Sequence, residues 1–194
     1  KQLLADAELR IHAGERVGLI GQNGCGKSTL FALLRGEIQP DAGTASMPAD
    51  WRIAAMEQEV VGTDRRAIDF VLDGDTEFRA LEAAMETAGG EQLGEVHARF
   101  AAIDGYRAAA RAHELLDGLG FATAERERAV REFSGGWRLR LALARTLMCP
   151  SDLMLLDEPT NHLDLDALVW LEAWLARYPG TLILISHDRD FLDN

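Results

Sequence analysis

Cysteine is scarce. The chain of 194 residues carries two, Cys25 and Cys149, far apart and without metal-like neighbours. That excludes the disulfide density of a small secreted scaffold and points to a reducing, cytoplasmic setting. Long apolar runs are missing too: none approaches the roughly 20 residues that a membrane helix needs. The opening KQLLADAELR lacks the basic start and long apolar middle of a signal peptide. A soluble chain without a membrane partner is expected. Positive charge is in deficit, with 20 Lys and Arg against 32 Asp and Glu and a formal net charge of −12. Broad nucleic-acid binding depends on basic residues that displace counterions from phosphates, so any such contact is expected to be local or protein-mediated. No repeat or low-complexity segment stands out. Lys1 is not an initiator methionine, and Asn194 closely follows a segment with functional features; the chain is expected to be a fragment, incomplete at both ends.

What is present is enough apolar material, 47% of residues, to bury a real core. The runs VGLI (17–20), LMLL (153–156) and LILI (182–185) are short and bounded by glycine, aspartate or serine, as buried parallel strands are. Helical patterns lie between them, at Lys27 to Leu34, Arg138 to Leu147 and Leu165 to Leu175, where Trp170 and Trp174 share a face. Strands alternating with helices predict an α/β sheet. Residues 1–16 and 44–56 read as shorter strands around glycine turns, and roughly 64–130 as a helical lobe.

The strongest motif is GQNGCGKST, residues 21–29, entered by a strand and left by a helix, which is the context a phosphate-binding loop requires. Gly21, Gly24 and Gly26 let the backbone turn its N–H groups onto phosphate oxygens, and the helix start adds partial positive charge. Lys27 is expected to reach the terminal phosphates of a nucleotide and Ser28 to give its hydroxyl to Mg²⁺. Asn23 and Thr29 are candidates for further hydrogen bonds, with Cys25 contributing backbone. Downstream, LMLLDEPTNHLD (153–164) ends a strand in two carboxylates at the sheet edge where ligands bind. Asp157 is the candidate Mg²⁺ holder. Glu158, next along the strand, points differently and is placed to take a proton from, or orient, the attacking water. His187 closes LILISHD at the same edge, where an imidazole donates to the γ-phosphate or holds Glu158 and water in line. Gln58, after the candidate strand RIAAM, is a weaker candidate for bonding Mg²⁺ or the water.

A second anion cradle is expected in FSGGWRLR (133–140), where the Ser134 hydroxyl and the bare backbone of Gly135 and Gly136 open a helix. One γ-phosphate does not need two cradles, so either both close on one nucleotide or each serves a different copy; spacing leaves that open.

In this order, GQNGCGKST, Gln58, FSGGW, LMLLDEP, NHLD and SHD resemble the nucleotide-binding domain of the ABC ATPases over nearly the whole chain. The resemblance implies an α/β P-loop NTPase fold of the ABC type, with a mainly parallel sheet, small antiparallel strands and a helical subdomain. It also implies that Ser134, Gly135 and Gly136 reach ATP held by a second ABC domain. Trp137 and the D-loop Asn161-His162-Leu163-Asp164, with Asp164 lining the same junction, closely resemble the first such domain of ABC-F proteins. These are soluble tandem ATPases that act on ribosomes. Trp137 itself reads as a packing residue. Phe133 stands where the family commonly has leucine, and the aromatic residue that often stacks on adenine would lie upstream of Lys1.

The domain reading is an ATP-binding core at 1–63 and 150–194, with a helical signature subdomain at 64–149. Within the latter, narrow apolar stripes at helical spacing suit an arm-like hairpin at about 76–119. The stripes are Phe78, Leu81 and Met85; Leu93, Val96, Phe100 and Ile103; and Tyr106, Ala109, His113 and Leu116. The resemblance implies an arm that touches the ribosome. With four arginines against eight carboxylates between Glu77 and Asp117, a basic ribosomal protein is the expected contact rather than RNA. The alternatives are an ABC transporter subunit and a scaffold that does not hydrolyse ATP, the latter expected to lack Lys27, Glu158 or His187, all of which are present.

Overall fold

A computed structural model describes residues 7–22 and 24–187; Asn23, and residues 1–6 of the first candidate strand segment, lie outside them. The sheet holds β1 (Arg16–Leu19), β2 (Ile53–Ala55), β3 (Leu153–Asp157) and β4 (Thr181–Ile185), all parallel, in the order β1-β4-β3-β2. The runs LMLL and LILI take the central places because a strand covered on both faces must be apolar throughout, whereas VGLI, expected to be buried, supplies an edge strand. Every residue of β4 is buried, as are the first four of β3, whereas β1 and β2 sit at the edges and are only partly covered. Phe31 of α1 (Lys27–Leu34) packs with Leu153, Leu155, Ile183 and Ile185. Because all four strands run parallel, the loops leaving β1, β3 and β4 emerge at one carboxyl edge, as in other open α/β sheets that bind ligands there.

The strand expectation was too generous. Among the described residues of 7–16 only Arg16 joins a strand, and of 44–56 only Ile53–Ala55 does. The stretch Pro40-Asp41-Ala42-Gly43 and the Pro48-Ala49-Asp50 that follows are rich in turn formers, which break a ladder. Antiparallel pairing among the described residues is a short ladder of main-chain bonds between 63–68 and 126–131, including Val130 N–H to Arg65 O at 2.8 Å and Ala67 N–H to Arg128 O at 2.9 Å. It is centred on the bridge Arg66↔Ala129.

The chain forms two compact units, one made of the stretch up to Met56, Ser151–Asn161 and the part from Glu172 onward, the other of Glu57–Pro150 and His162–Leu171. The second is helical: α2 (Ala67–Leu72), α3 (Thr76–Thr87), α4 (Glu91–Ala102), α5 (Ala108–Gly118), α6 (Gly135–Met148) and the first part of α7 (Leu165–Leu175). Its core is built on α6, where Leu141, Ala142, Leu143, Ala144 and Leu147 are buried, with Leu116, Leu119, Phe121 and Val130.

Within 76–119, α3 and α4 pair through Phe78 and Phe100, whose ring centres are 5.6 Å apart. Phe100 is the only buried residue of α4, as a helix resting on one partner requires. The third stripe is shifted from its expected phase. Ala108, Ala112, Leu115 and Leu116 face inward, and Ala109 is exposed. Asp104, at a left-handed φ of 54°, and a 3₁₀ turn at Gly105–Arg107 reset the helix before α5 begins. Tyr106 therefore packs on the edge of Phe100 at 4.9 Å and hydrogen-bonds His97 at 2.9 Å, serving α4 instead of α5.

An ionic network ties α2 to α3. Asp73 accepts from Arg65 (2.7 Å) and Arg79 (2.8 Å), and Asp69 from Arg66 (2.7 Å) and Arg79 (3.1 Å). Partial burial pushes both carboxyls up, but the arginine hydrogen bonds outweigh it and hold them below the usual range. A depressed folded value means that the stabilisation is complete above the unfolded value of about 3.9 and is lost as pH falls through the lower folded value. Arg79→Met should cost on the order of 1 kcal/mol at pH 7 and flatten the acid limb of stability against pH. Chemical denaturation at pH 7 and at pH 3 measures both.

Candidate functional site

The loop between β1 and α1 is shaped by left-handed glycines: Gly24 has φ 75°, and Gly26, the residue capping α1, has φ 109°. Side chains with a Cβ are strained in that region. No side chain caps α1, so its first N–H groups point into the concavity of the loop. Lys27 lies across the loop, its ammonium donating to the carbonyls of Gly21 (2.6 Å) and Gln22 (3.2 Å). Ser28 Oγ donates to Asp157 Oδ2 at 3.3 Å. Two hard oxygens, one from the loop and one from the end of β3, are thus adjacent, a donor set suited to Mg²⁺. Among the described residues no group of three or more His, Cys, Asp or Glu is assembled for a metal, so such an ion would complete its coordination with phosphate and water.

Glu158 is the residue at which β3 stops being a strand. Its φ is 51°, rare for a side chain of this kind, and its N–H donates to Ile185 O at 2.8 Å. The strained turn aims the carboxylate away from the strand's alternation. Oε1 is buried and accepts no hydrogen bond, with His187 Nε2 3.4 Å away; Oε2 receives a long 3.4 Å bond from the His187 N–H. Asp157, Glu158 and His187, singled out separately in the sequence, therefore gather at one edge. Thr29 follows Ser28 in the first turn of α1 and is partly buried; Cys25 is an exposed free thiol.

In the helical unit, Ser134 has extended geometry (ψ 164°) and makes no capping bond, so α6 starts with Gly135 and Gly136 and open N–H groups. Ser134 and Gly135 are exposed. A Cβ on Gly136 would lie 3.3 Å from the His162 ring. Trp137 meets Phe121 edge-on at 4.8 Å and lies under the Arg140 guanidinium at 4.5 Å, a packing role. Phe133 is buried against Phe121 at 5.7 Å, so the aromatic ring fits the leucine place. Asp164 accepts from Ala167 N–H at 3.0 Å, capping α7, and from Arg140 at 2.9 Å. Those two bonds hold its carboxyl below the usual range. Exposed Gln58 follows β2 by three residues, and its neighbour Glu57 pairs with Arg145 of α6 at 3.5 Å. Asn161 closes the turn after Glu158, its N–H donating to Glu158 O at 3.2 Å. Sequence reasoning passed over Arg140. The signal available was a charge on the inward phase of α6, four residues after Gly136.

Fold and loop define a P-loop nucleotide-binding domain. The family model described as ABC transporter matches residues 4–161, and the chain belongs to that family. Within it the likeness runs to ABC-F proteins and is consistent with their first nucleotide-binding domain. Over 98% of its length the chain is 53% identical to "Probable ATP-binding protein YheS" of Escherichia coli (strain K12). It is 42% identical, again over 98%, to ATP-binding cassette sub-family F member 3 of Homo sapiens. The chain spans 31% of the first of these relatives and 28% of the second. Among solved structures, the archaeal ribosome recycling factor aABCE1, in complex with ribosomal stalk protein aP1, matches with a TM-score of 0.65. That match has 24% identity and covers 94% of this chain and 31% of that one. RNase-L Inhibitor matches with a TM-score of 0.63 at 24% identity, over 93% and 30%. Both share the fold.

A Cβ on Gly21 would sit 2.8 Å from Cys25 Sγ. Gly21→Ala should therefore weaken nucleotide binding by about tenfold, on the order of the 1–3 kcal/mol that overpacking costs, and Gly21→Ala/Cys25→Gly should recover part of it. Titration with a fluorescent ATP analogue measures both.

Proposed function

We propose that the chain is the ATP-binding and ATP-hydrolysing domain of a soluble, cytoplasmic ABC-F translation factor, which works on the ribosome by closing against a second ABC domain. The observation that carries the chemistry is the buried, unbonded Oε1 of Glu158 beside His187. The backbone of Gly21, Gly24, Cys25 and Gly26 and the start of α1, with Thr29, hold the phosphates, while Lys27 turns from the loop carbonyls to the terminal ones. Ser28 and Asp157 would hold Mg²⁺, with Gln58 a further candidate ligand, and the ion would supply positive charge that offsets the phosphates. Glu158 Oε1 orients the attacking water and takes its proton as the water oxygen bonds to the γ-phosphorus. The bond to the β-phosphate oxygen then breaks, leaving ADP and inorganic phosphate. His187 steadies Glu158 and donates to the γ-phosphate. Asn23, outside the described residues, keeps its proposed phosphate bond.

The exposed, uncapped start of α6 supports a cradle of Ser134, Gly135 and Gly136 that faces another domain's ATP, with Asn161 and Asp164 at the same junction. Trp137 and the likeness to sub-family F relatives favour the translation factor over a transporter subunit. Among the described residues no helix is long and apolar enough to cross a membrane. The sparsely buried α3–α4 pair supports the arm and its contact with a basic ribosomal protein.

In the intact protein, with a second ABC domain likewise blocked, Glu158→Gln should bind ATP and lose about 10²-fold or more in turnover, whereas Lys27→Ala should bind poorly at the outset. Normal turnover in Glu158→Gln removes the assignment. Replacing Glu77 to Ala102 by a glycine-serine linker, with the buried face of α5 kept, should weaken co-sedimentation with ribosomes and spare ATP binding. Lost ATP binding would instead make the segment part of the folded core.

A further inference from the structure

Arg140 is nine-tenths buried, and its guanidinium is spent on three acceptors in two separate stretches of chain. Nε donates to His162 O at 2.7 Å, and Nη1 to Asp164 Oδ2 at 2.9 Å and to Leu119 O at 3.2 Å. A buried cation is tolerated only with such compensation, and the planar fork of arginine reaches several acceptors at once where a lysine ammonium is a point charge. The site is fitted around it. Trp137 lies over the guanidinium at 4.5 Å. Gly120, at φ +86°, leaves room where a Cβ would stand 3.3 Å from Nη1. His162 is held at φ 68°, a strained value for a residue with a side chain, while its carbonyl accepts from Arg140 and its ring lies against Gly136. Asp164 divides its oxygens between Arg140 of α6 and the first turn of α7.

We propose that Arg140 is the positioning residue that locks residues 162–164 to the signature helix, so that Gly135-Gly136 and Asp164 meet the partner domain's ATP as one rigid piece. The inference rests on the proposed function for its effect on catalysis, but the lock itself is a property of the helical unit. Gly136 and Arg140 are one helical turn apart on α6, so a shift of the cradle carries the His162 carbonyl and the Asp164 carboxylate with it. Trp137, which directly follows the cradle glycines, acts by bracing the guanidinium face at 4.5 Å while its N–H groups bond Asp164 and His162. Lysine in place of Arg140 keeps the charge for Asp164 and loses the simultaneous reach to His162 and Leu119.

The test uses the intact protein with Arg140→Lys, Trp137→Gln, Asp164→Asn and the Arg140→Lys/Asp164→Asn pair, followed by hydrogen–deuterium exchange, ATP turnover and thermal melting. Arg140→Lys should speed exchange in 162–168 by about fivefold or more, the scale of one or two lost hydrogen bonds, with α2 unchanged. Turnover should fall by a similar factor while KM for ATP stays within about twofold, since the phosphate loop is untouched. The double variant should lose no more turnover than the worse single one, because both remove one lock. Trp137→Gln, which leaves the fork chemically intact, should reproduce the exchange change in weaker form and serves if Arg140→Lys fails to fold. Unchanged exchange at 162–168 overturns the proposal, as does acceleration spread evenly over the helical unit or additive losses in the double variant. If the unsubstituted intact protein does not hydrolyse ATP, the proposed function falls and exchange alone decides the lock.

Discussion

The parallel register of β3 with β4, which sets Asp157 beside Ile185, is the constraint on which the chemistry depends. Both strands are apolar and buried over nearly their whole length, so neither can slip by a residue without turning core side chains outward. Fixed in this way, they end together at the carboxyl edge. The main chain then carries the pairing one residue further, through the Glu158 N–H to Ile185 O, before the backbone turns. Asp157 and Glu158 at the end of β3, and His187 just after β4, lie beyond an apolar wall, and the Ser28 hydroxyl comes to the same edge from α1.

Strain is concentrated at the candidate site. Apart from Asp104 in the α4–α5 connection, the residues other than glycine with positive φ among those described are Glu158 and His162. Each is over-determined by its surroundings, Glu158 by β4 and His162 by Arg140. A left-handed turn re-aims a side chain within a single residue, which a regular strand or helix end does not do. The two uncapped helix starts follow a similar economy, since N–H groups that no side chain satisfies remain available to an anion.

Much of this was legible from the amino acids. The phosphate loop, the three apolar strands, α1 and α7, and the nucleotide-binding character followed from local rules: short apolar runs bounded by turn formers, glycines ahead of a lysine, and carboxylates at a strand end. The arm stripes were half right. Phe78, Leu81 and Phe100 face inward as their spacing requires, but the α5 phase depends on a turn at Asp104 whose backbone angles a periodicity argument does not contain. Among the described residues the strand assignments at 7–16 and 44–56 shrank to Arg16 and Ile53–Ala55, the latter where turn formers interrupt the apolar pattern.

The sequence by itself determined the main helices and strands around the candidate site and which residues are candidates for phosphate, cation and proton chemistry, because each is encoded in a short local stretch, and it pointed to the family through the order of those stretches. Only the tertiary structure decided that Ser28 touches Asp157, that Glu158 leans toward His187 with one oxygen unbonded, that residues 162–171 belong with the helical unit, and that Arg140 is bound to His162, Asp164 and Leu119. The physical reason is separation along the chain. Those contacts join residues that no local propensity links, and they form only once burial of the sheet and of α6 has fixed where each segment ends.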